Sequence, residues 1–179
     1  FCTRKEIQAE VARMVSAPHG PEGPIYPGTC RHLSVADAAA RIAAGQAHAW
    51  RLDARKASLQ TGPLTFTDLR HGSIAVNPDL LGDVVLARKD IGCAYHLAVV
   101  VDDSFQHITH VTRGEDLLPS THVHRLLQVL LGFLEPLYLH HHLILDSEGK
   151  RLAKRDESLS IHALRESGLS PEKVLERIR

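Results

Sequence analysis

The most constraining feature of this sequence is a series of apolar segments between residues 97 and 145. Residues 97–101 form an uninterrupted aliphatic run that ends at two aspartates, which is typical of a strand buried on both faces. Residues 108–112 predict a second strand, residues 120–131 carry apolar side chains at helical spacing, and residues 137–145 predict a third strand. This order favours a βαβ unit in a parallel sheet, so we predict an α/β fold.

The composition excludes several classes of protein. Of the 179 residues, 44% are hydrophobic and 23% are charged, as in ordinary globular domains. Lys plus Arg and Asp plus Glu both number 21, so a uniformly basic nucleic-acid clamp is excluded, although a local basic patch is not. The sequence contains no apolar run of membrane-spanning length and no signal-peptide pattern at its start. We therefore expect a soluble, cytoplasmic protein.

Caps and periodicity predict the remaining elements. A capping-box pattern at Thr3 predicts a helix over residues 3–15, and a cap at Ser34 predicts another over residues 35–44. Residues 47–53 alternate like a strand. Further strands are predicted at 64–67 and 84–87, within a mixed region at 54–90, and helices at 161–167 and 171–178.

Cysteine and tyrosine side chains form the first candidate site. The thiols of Cys2 and Cys30 and the phenol of Tyr26 are brought together by a loop rich in Pro and Gly, and such donors can bind zinc. Three ligands do not complete a structural zinc site, so a fourth is required; the alternative is two unpaired thiols. An odd number of cysteines argues against a disulfide framework. Cys93 is expected to be a small core residue.

Histidines and a basic loop form two further candidates. His122 and His124 lie two residues apart in a predicted helix and face different directions, whereas His140 and His142 share one face of a predicted strand. No partnered carboxylate motif accompanies them, so we interpret them as polar surface or pocket-lining residues. The segment RLAKR at 151–155 could hold phosphates, or could be a solvated charged loop.

Taken together, several segments resemble in order the second half of the catalytic domain of class I glutamyl-tRNA synthetases. They are GDVVLARKD at 82–90, AYHLAVVVDD at 94–103, VTRGEDLL at 111–118, and LIL at 143–145 leading into RLAKR. The resemblance covers nearly the whole chain. It is greatest to the short glutamyl-queuosine tRNA(Asp) synthetases of the family, because only two short predicted helices follow the basic loop.

The resemblance implies roles for individual residues. Tyr95 and Arg113 match family residues that contact the substrate glutamate, which suits a phenol and a guanidinium facing a carboxylate. RLAKR matches the KMSKS-type loop, so Lys154 would be the catalytic lysine and would bind ATP together with Arg151. Ala153 replaces the family's serine in that loop, which removes one hydroxyl near the phosphates.

The same resemblance implies that part of the family's active site is missing. Cys2, Tyr26 and Cys30 match three of the family's four zinc ligands, and the first cysteine of the pattern would fall immediately before Phe1. Because the chain begins with Phe rather than Met, we expect a fragment or a processed chain. The HIGH-type ATP-binding motif is absent from the sequence, so residues 1–179 alone are expected to be inactive.

The resemblance also divides the chain into four predicted parts. Residues 1–33 are a zinc-binding segment, incomplete at its start, and residues 34–92 are a connective α+β insertion. Residues 93–145 are the second half of a Rossmann-type catalytic fold, in which helices flank a parallel sheet. Residues 146–179 contain the KMSKS-type loop and the C-terminal helices.

The function implied for the intact protein is ATP-dependent activation of L-glutamate and its transfer to the queuosine base of tRNA(Asp). The expected cofactors are ATP, Mg²⁺ and Zn²⁺, and the expected partners are L-glutamate, ATP and queuosine-containing tRNA(Asp), with no membrane and a monomeric state. Three alternatives stay open: a truncated glutamyl-tRNA synthetase that charges a tRNA 3′ end, a non-catalytic zinc- or tRNA-binding module derived from the family, and a histidine-rich metal hydrolase.

Overall fold

The computed structural model describes residues 1–13, 19–20, 23–88, 90, 92–145 and 160–178. The helices are α1 (Arg4–Arg13), α2 (Val35–Ala43), α3 (Ala54–Thr61), α4 (Tyr95–Phe105), α5 (Leu118–Leu131), α6 (Ile161–Glu166) and α7 (Pro171–Ile178). The strands are β1 (His19–Gly20), β2 (Gly23–Pro24), β3 (Ala49–Arg51), β4 (Thr65–Asp68), β5 (Gly72–Ala75), β6 (Val85–Arg88), β7 (Gly92–Cys93), β8 (His110–Gly114) and β9 (Leu137–His141). A 3₁₀ turn at Glu115–Leu117 precedes α5.

The largest sheet has the strand order β5-β4-β9-β8. Strands β8 and β9 run parallel, with Arg113 opposite His140, and α5 connects them, so the predicted βαβ unit is confirmed. Strand β4 also runs parallel to β9, but β5 runs antiparallel to β4. The sheet is therefore mixed rather than wholly parallel. Two smaller antiparallel sheets are formed by β1-β2 and by β3-β6-β7.

One predicted strand is wrong, because residues 97–101 lie within helix α4. This helix packs against α5 and β6 and buries one face only. Val100 is 2% exposed, whereas the adjacent Val101 is 40% exposed. A strand buried on both faces would have covered both side chains. The β-branched residues favour a strand only weakly, and packing against α5 outweighs that preference.

Local capping signals are confirmed where the sequence predicts them. Thr3 donates from its backbone N–H to the Glu6 carboxylate at 2.7 Å, and Glu6 donates in return to the Thr3 hydroxyl at 3.2 Å. The Ser34 hydroxyl accepts from the backbone N–H of Asp37 at 3.0 Å at the start of α2. Asp53 caps α3 in the same way, although this helix was not among the predicted elements.

The hydrophobic core lies between α3, α4 and α5 and the sheet that contains β3 and β6. Its buried members are Leu52, Ala57, Val100, Val123 and Leu127. Cys93 is exposed, so its expected place in the core is wrong; β7, which carries it, is an edge strand. Among the described residues, no helix is long and apolar enough to cross a membrane.

Candidate active site

The two residues predicted to contact glutamate lie side by side. Tyr95 is the first residue of α4, and Arg113 lies near the end of β8. The Arg113 Nη1 group donates to the Tyr95 hydroxyl at 3.3 Å. The Tyr95 side chain is accessible, because the residue is 49% exposed. The start of α4 and the end of β8 thus place the Tyr95 phenol and the Arg113 guanidinium side by side, with the phenol accessible to solvent.

The hydrogen-bond acceptors of the Arg113 guanidinium are all neutral. Nη1 also contacts His124 Nδ1 at 3.2 Å, and Nη2 donates to Thr121 Oγ1 at 2.6 Å. Its Nε is buried without a hydrogen-bond partner in the part of the chain that the structure describes. None of the ion pairs among the described residues includes this guanidinium. A cation in this state is suited to receive a carboxylate, which would supply charge-assisted hydrogen bonds.

Three of the four candidate histidines are buried rather than on the surface, and His124 lies beside the Arg113 guanidinium, in keeping with the pocket-lining position that the sequence also allowed. His122, His124 and His140 are 5%, 2% and 0% exposed. Burial is the main cause that lowers the pKa of His124 to about 2, and the nearby Arg113 charge lowers it further. His124 is therefore neutral at physiological pH and can accept a hydrogen bond from the guanidinium. Only His142 has an exposed side chain, at 72%.

A second polar cluster surrounds Glu115, directly after β8. Its carboxylate lies 2.9 Å from His142 Nδ1, 3.4 Å from His71 Nε2 and 3.8 Å from Arg70 Nη1. The hydrogen bond from His142 is the main cause that lowers the pKa of Glu115. This cluster ties the turn after β4 to the ends of β8 and β9. The cluster thus lies at the start of the 3₁₀ turn, two residues after Arg113.

Gly114 is a steric requirement of the segment that follows the arginine. A Cβ atom at this position would lie 2.5 Å from an Asp116 carboxylate oxygen and 2.9 Å from the Leu143 side chain. Any side chain at this position would therefore force one neighbour to move. Close packing at the end of β8 thus explains why a glycine follows Arg113.

The three predicted zinc ligands also come together. The sulfur atoms of Cys2 and Cys30 are 3.1 Å apart, and the Cys30 backbone N–H donates to the Tyr26 hydroxyl at 2.9 Å. Burial raises the pKa of Cys30, but hydrogen bonds, the largest from the Cys2 thiol, lower it more, so its pKa lies below the ordinary value. Among the described residues, no group of three or more His, Cys, Asp or Glu side chains could hold a metal ion. The zinc site stays a prediction.

The other predicted site residues, Lys154 and Arg151, lie outside the described residues. Their roles, those of Tyr95 and Arg113, and the four-part division of the chain all stay predictions. Residue 92 is the predicted end of the connective insertion. The largest sheet joins strands from both sides of it, with β4 and β5 before it and β8 and β9 after it.

Comparison with known proteins decides the family. The sequence profile described as tRNA synthetases class I (E and Q), catalytic domain, matches residues 1–179. The chain belongs to this family. The fold agrees with that membership: the class I synthetase catalytic domain is Rossmann-like, with a mixed sheet and flanking helices.

Several relatives of this class I synthetase domain are similar over most of the chain. A glutamyl-Q tRNA(Asp) synthetase of Rhodobacter capsulatus is 44% identical over 178 residues, covering 95% of this chain and 62% of the relative. One from Nocardia farcinica is 46% identical and covers 98% of this chain and 52% of the relative. Glutamate–tRNA ligase 2 of Syntrophus aciditrophicus is 36% identical and covers 98% of this chain and 34% of the relative.

A solved structure extends the similarity to three dimensions. The glutamate tRNA ligase of Elizabethkingia meningosepticum, in complex with its amino acid, is 30% identical with a TM-score of 0.66. The match covers 88% of this class I synthetase domain and 32% of that chain. The domain therefore spans only part of its relatives, from 62% to about one third of their length.

Proposed function

We propose that the full-length protein containing this chain activates L-glutamate with ATP and transfers the glutamyl group to the queuosine base of tRNA(Asp). The observation that carries the proposal is the half-buried Arg113 guanidinium, whose hydrogen-bond acceptors are all neutral and which lies beside the accessible Tyr95. A glutamate carboxylate would complete this arrangement by pairing with the cation. Similarity to proteins named glutamyl-Q tRNA(Asp) synthetase, at 44% and 46% identity, supports the queuosine acceptor.

The proposed chemistry is a displacement at the α-phosphate of ATP. A glutamate carboxylate oxygen forms a bond to that phosphorus, and the bond to pyrophosphate breaks. The second step transfers the glutamyl group from the adenylate to the RNA and releases AMP. Tyr95 and Arg113 would hold glutamate in position, and Lys154 with Arg151 would hold the ATP phosphates, which enter with Mg²⁺. We place this reaction in the cytoplasm and expect a monomer.

Glutamate-dependent exchange of pyrophosphate into ATP tests the first step. The full-length protein should catalyse exchange with L-glutamate, and residues 1–179 alone should not. Labelled glutamate should then appear on tRNA(Asp) that contains queuosine and not on the same tRNA without it. Exchange followed by charging of a tRNA 3′ end would favour the alternative of a glutamyl-tRNA synthetase, which the Syntrophus relative supports. Absence of exchange in the full-length protein would contradict the activation step.

Cys2, Tyr26 and Cys30 would hold zinc, which would fix the first residues of the chain to the loop before α2. Their donor atoms fit this ion, because two thiols and a phenol already lie together. Cys30→Ser should therefore remove most of the zinc from the full-length protein, as measured by elemental analysis. Cys93→Ser is the matched control, because this cysteine is exposed in β7, and it should retain the zinc. Equal zinc contents in the two variants would exclude this site.

A further inference from the structure

We propose that three buried residues, Asp68, His140 and Thr121, position the guanidinium of the candidate site for the carboxylate of the substrate. We call these three residues the buried triad. The inference rests on the proposed function, because it assigns to the triad the orientation of Arg113 toward glutamate. The triad lies on three different elements, β4, β9 and α5, and Arg113 lies on a fourth, β8.

Burial excludes a direct chemical role for the triad. Asp68 is 1% exposed, and His140 and Thr121 are both 0% exposed. A hydroxyl, an imidazole and a carboxylate in this order could otherwise act as nucleophile, base and orienting acid, but no substrate atom can reach this hydroxyl. What the triad does contact is the guanidinium, through the 2.6 Å bond from Arg113 Nη2 to Thr121 Oγ1.

The acidic end of the triad is fixed as a charged acceptor. One Asp68 oxygen accepts from the His71 ring at 2.8 Å and from the backbone N–H groups of Arg70 and His71. The other oxygen accepts from the backbone N–H of His140 at 3.0 Å and from its Nδ1 at 2.7 Å. These bonds make the carboxylate an acceptor only, so the proton on the His140 ring lies on Nδ1.

The direction of the remaining hydrogen bonds follows from that proton. With Nδ1 protonated and the ring neutral, His140 Nε2 is an acceptor, and the Thr121 hydroxyl lies 3.0 Å from it. The alternative acceptor for this hydroxyl, the carbonyl of Leu117, lies at 3.5 Å. Thr121 therefore donates to His140, and its oxygen lone pairs point toward Arg113. A guanidinium can only donate, so each bond in the series has one allowed direction.

The sheet register explains why these side chains can meet. Arg113 on β8 is directly opposite His140 on β9, so their Cα atoms are neighbours across two parallel strands. Thr121 lies on α5, which connects these strands. The triad thus holds Nη2, while Tyr95 and His124 hold Nη1. Held at both ends, the guanidinium loses little orientational freedom when a carboxylate binds, and this preorganisation favours affinity.

The test compares two substitutions at Thr121 in the full-length protein, measured by glutamate-dependent pyrophosphate exchange. Thr121→Val keeps the shape but removes the hydroxyl, and it should raise the KM for glutamate by about tenfold to a hundredfold. The KM for ATP should change by less than about twofold. Thr121→Ser restores the hydroxyl and should return the glutamate KM to near the original value. Thr112→Val is the matched control on β8, because this exposed side chain points to the opposite face from Arg113.

His140→Asn provides an independent variant in case Thr121→Val does not fold. It can keep a donor toward Asp68 but removes the acceptor for the Thr121 hydroxyl, so it should raise the glutamate KM in the same way. A merely structural role would change the KM values for glutamate and ATP together or lower stability without a KM change, and either result would overturn the inference. Equal glutamate KM values in Thr121→Val and the unmodified protein would also overturn it. No exchange in the unmodified full-length protein would overturn the proposed function, and the inference with it.

Discussion

Replacing Arg113 with Ala should raise the KM for glutamate in the full-length protein by about a hundredfold to a thousandfold. The substitution removes the cation of the candidate pocket and leaves the Thr121 hydroxyl and His124 Nδ1 without their donor. The KM for ATP should change little, because the residues proposed to hold the phosphates, Lys154 and Arg151, lie elsewhere in the sequence. Pyrophosphate exchange at varied glutamate and saturating ATP measures the effect.

Two further variants show whether the charge or the geometry of the guanidinium matters. Arg113→Lys keeps a positive charge but loses the two-pronged donor, so its glutamate KM should lie between those of the unmodified protein and Arg113→Ala. Arg55→Ala is the matched control, because that side chain is exposed and pairs with Asp79 on the surface. An unchanged glutamate KM in Arg113→Ala would show that the pocket has been assigned to the wrong residues.

The second large effect is a loss of stability on mild acidification. The pKa of His124 is lowered to about 2 in the folded protein, first by burial and then by Arg113, whereas an unfolded histidine has a pKa of about 6.5. As the pH falls below about 6.5, the unfolded chain binds a proton that the folded chain rejects, so the free energy of unfolding decreases. The expected slope is about 1.4 kcal/mol per pH unit for this histidine.

Two other histidines act in the same direction. Burial is the largest cause that lowers the pKa of both His122 and His140. Each of these histidines therefore also lowers the free energy of unfolding at pH values between its unfolded and its folded pKa. The lowered pKa of Asp68 adds a further loss once the pH falls below about 4, where the unfolded carboxyl binds a proton first. Urea unfolding of the full-length protein at pH 7.5, 6.0 and 5.0 measures the slope.

A histidine substitution separates this effect from general acid sensitivity. His124→Gln offers an acceptor and a donor but does not titrate, so it should reduce the slope between pH 6.5 and 5 by up to about 1.4 kcal/mol per pH unit. His32→Gln is the matched control at an exposed position and should leave the slope as it was. A free energy of unfolding that is constant from pH 7.5 to 5.0 would contradict the prediction.

Local sequence signals were sufficient for the elements whose determinants are close in sequence. The caps at Thr3 and Ser34, the helical spacing in α5 and the strands on either side of it all involve residues within a few positions of each other. Because the motifs that carry the resemblance are also contiguous, the family was predicted correctly. Tyr95 and Arg113 are 18 residues apart in the sequence and lie in contact in the structure. This contact shows that the two motif residues meet, and their roles toward glutamate stay predictions.

Tertiary packing decided the features that local sequence patterns did not predict. The run at 97–101 is a helix because α5 and β6 cover only one of its faces. The bond between Asp68 and His140 joins residues 72 apart, and no local pattern marks such a pair. One weak sequence signal for the burial of His140 existed. His140 lies two residues after the aromatic Tyr138, so the two side chains share one face of β9, and both are buried.

The amino-acid sequence by itself determined the caps, the βαβ unit, the motif residues and the family, because each of these is written in short contiguous segments. The tertiary structure alone decided which polar side chains are buried and which of them meet at Arg113. The reason is physical: burying a hydroxyl, an imidazole and a carboxylate is tolerated only where every hydrogen bond is satisfied. That condition depends on the register of β4, β9 and β8 and on the position of α5 above them, which only the assembled sheet defines.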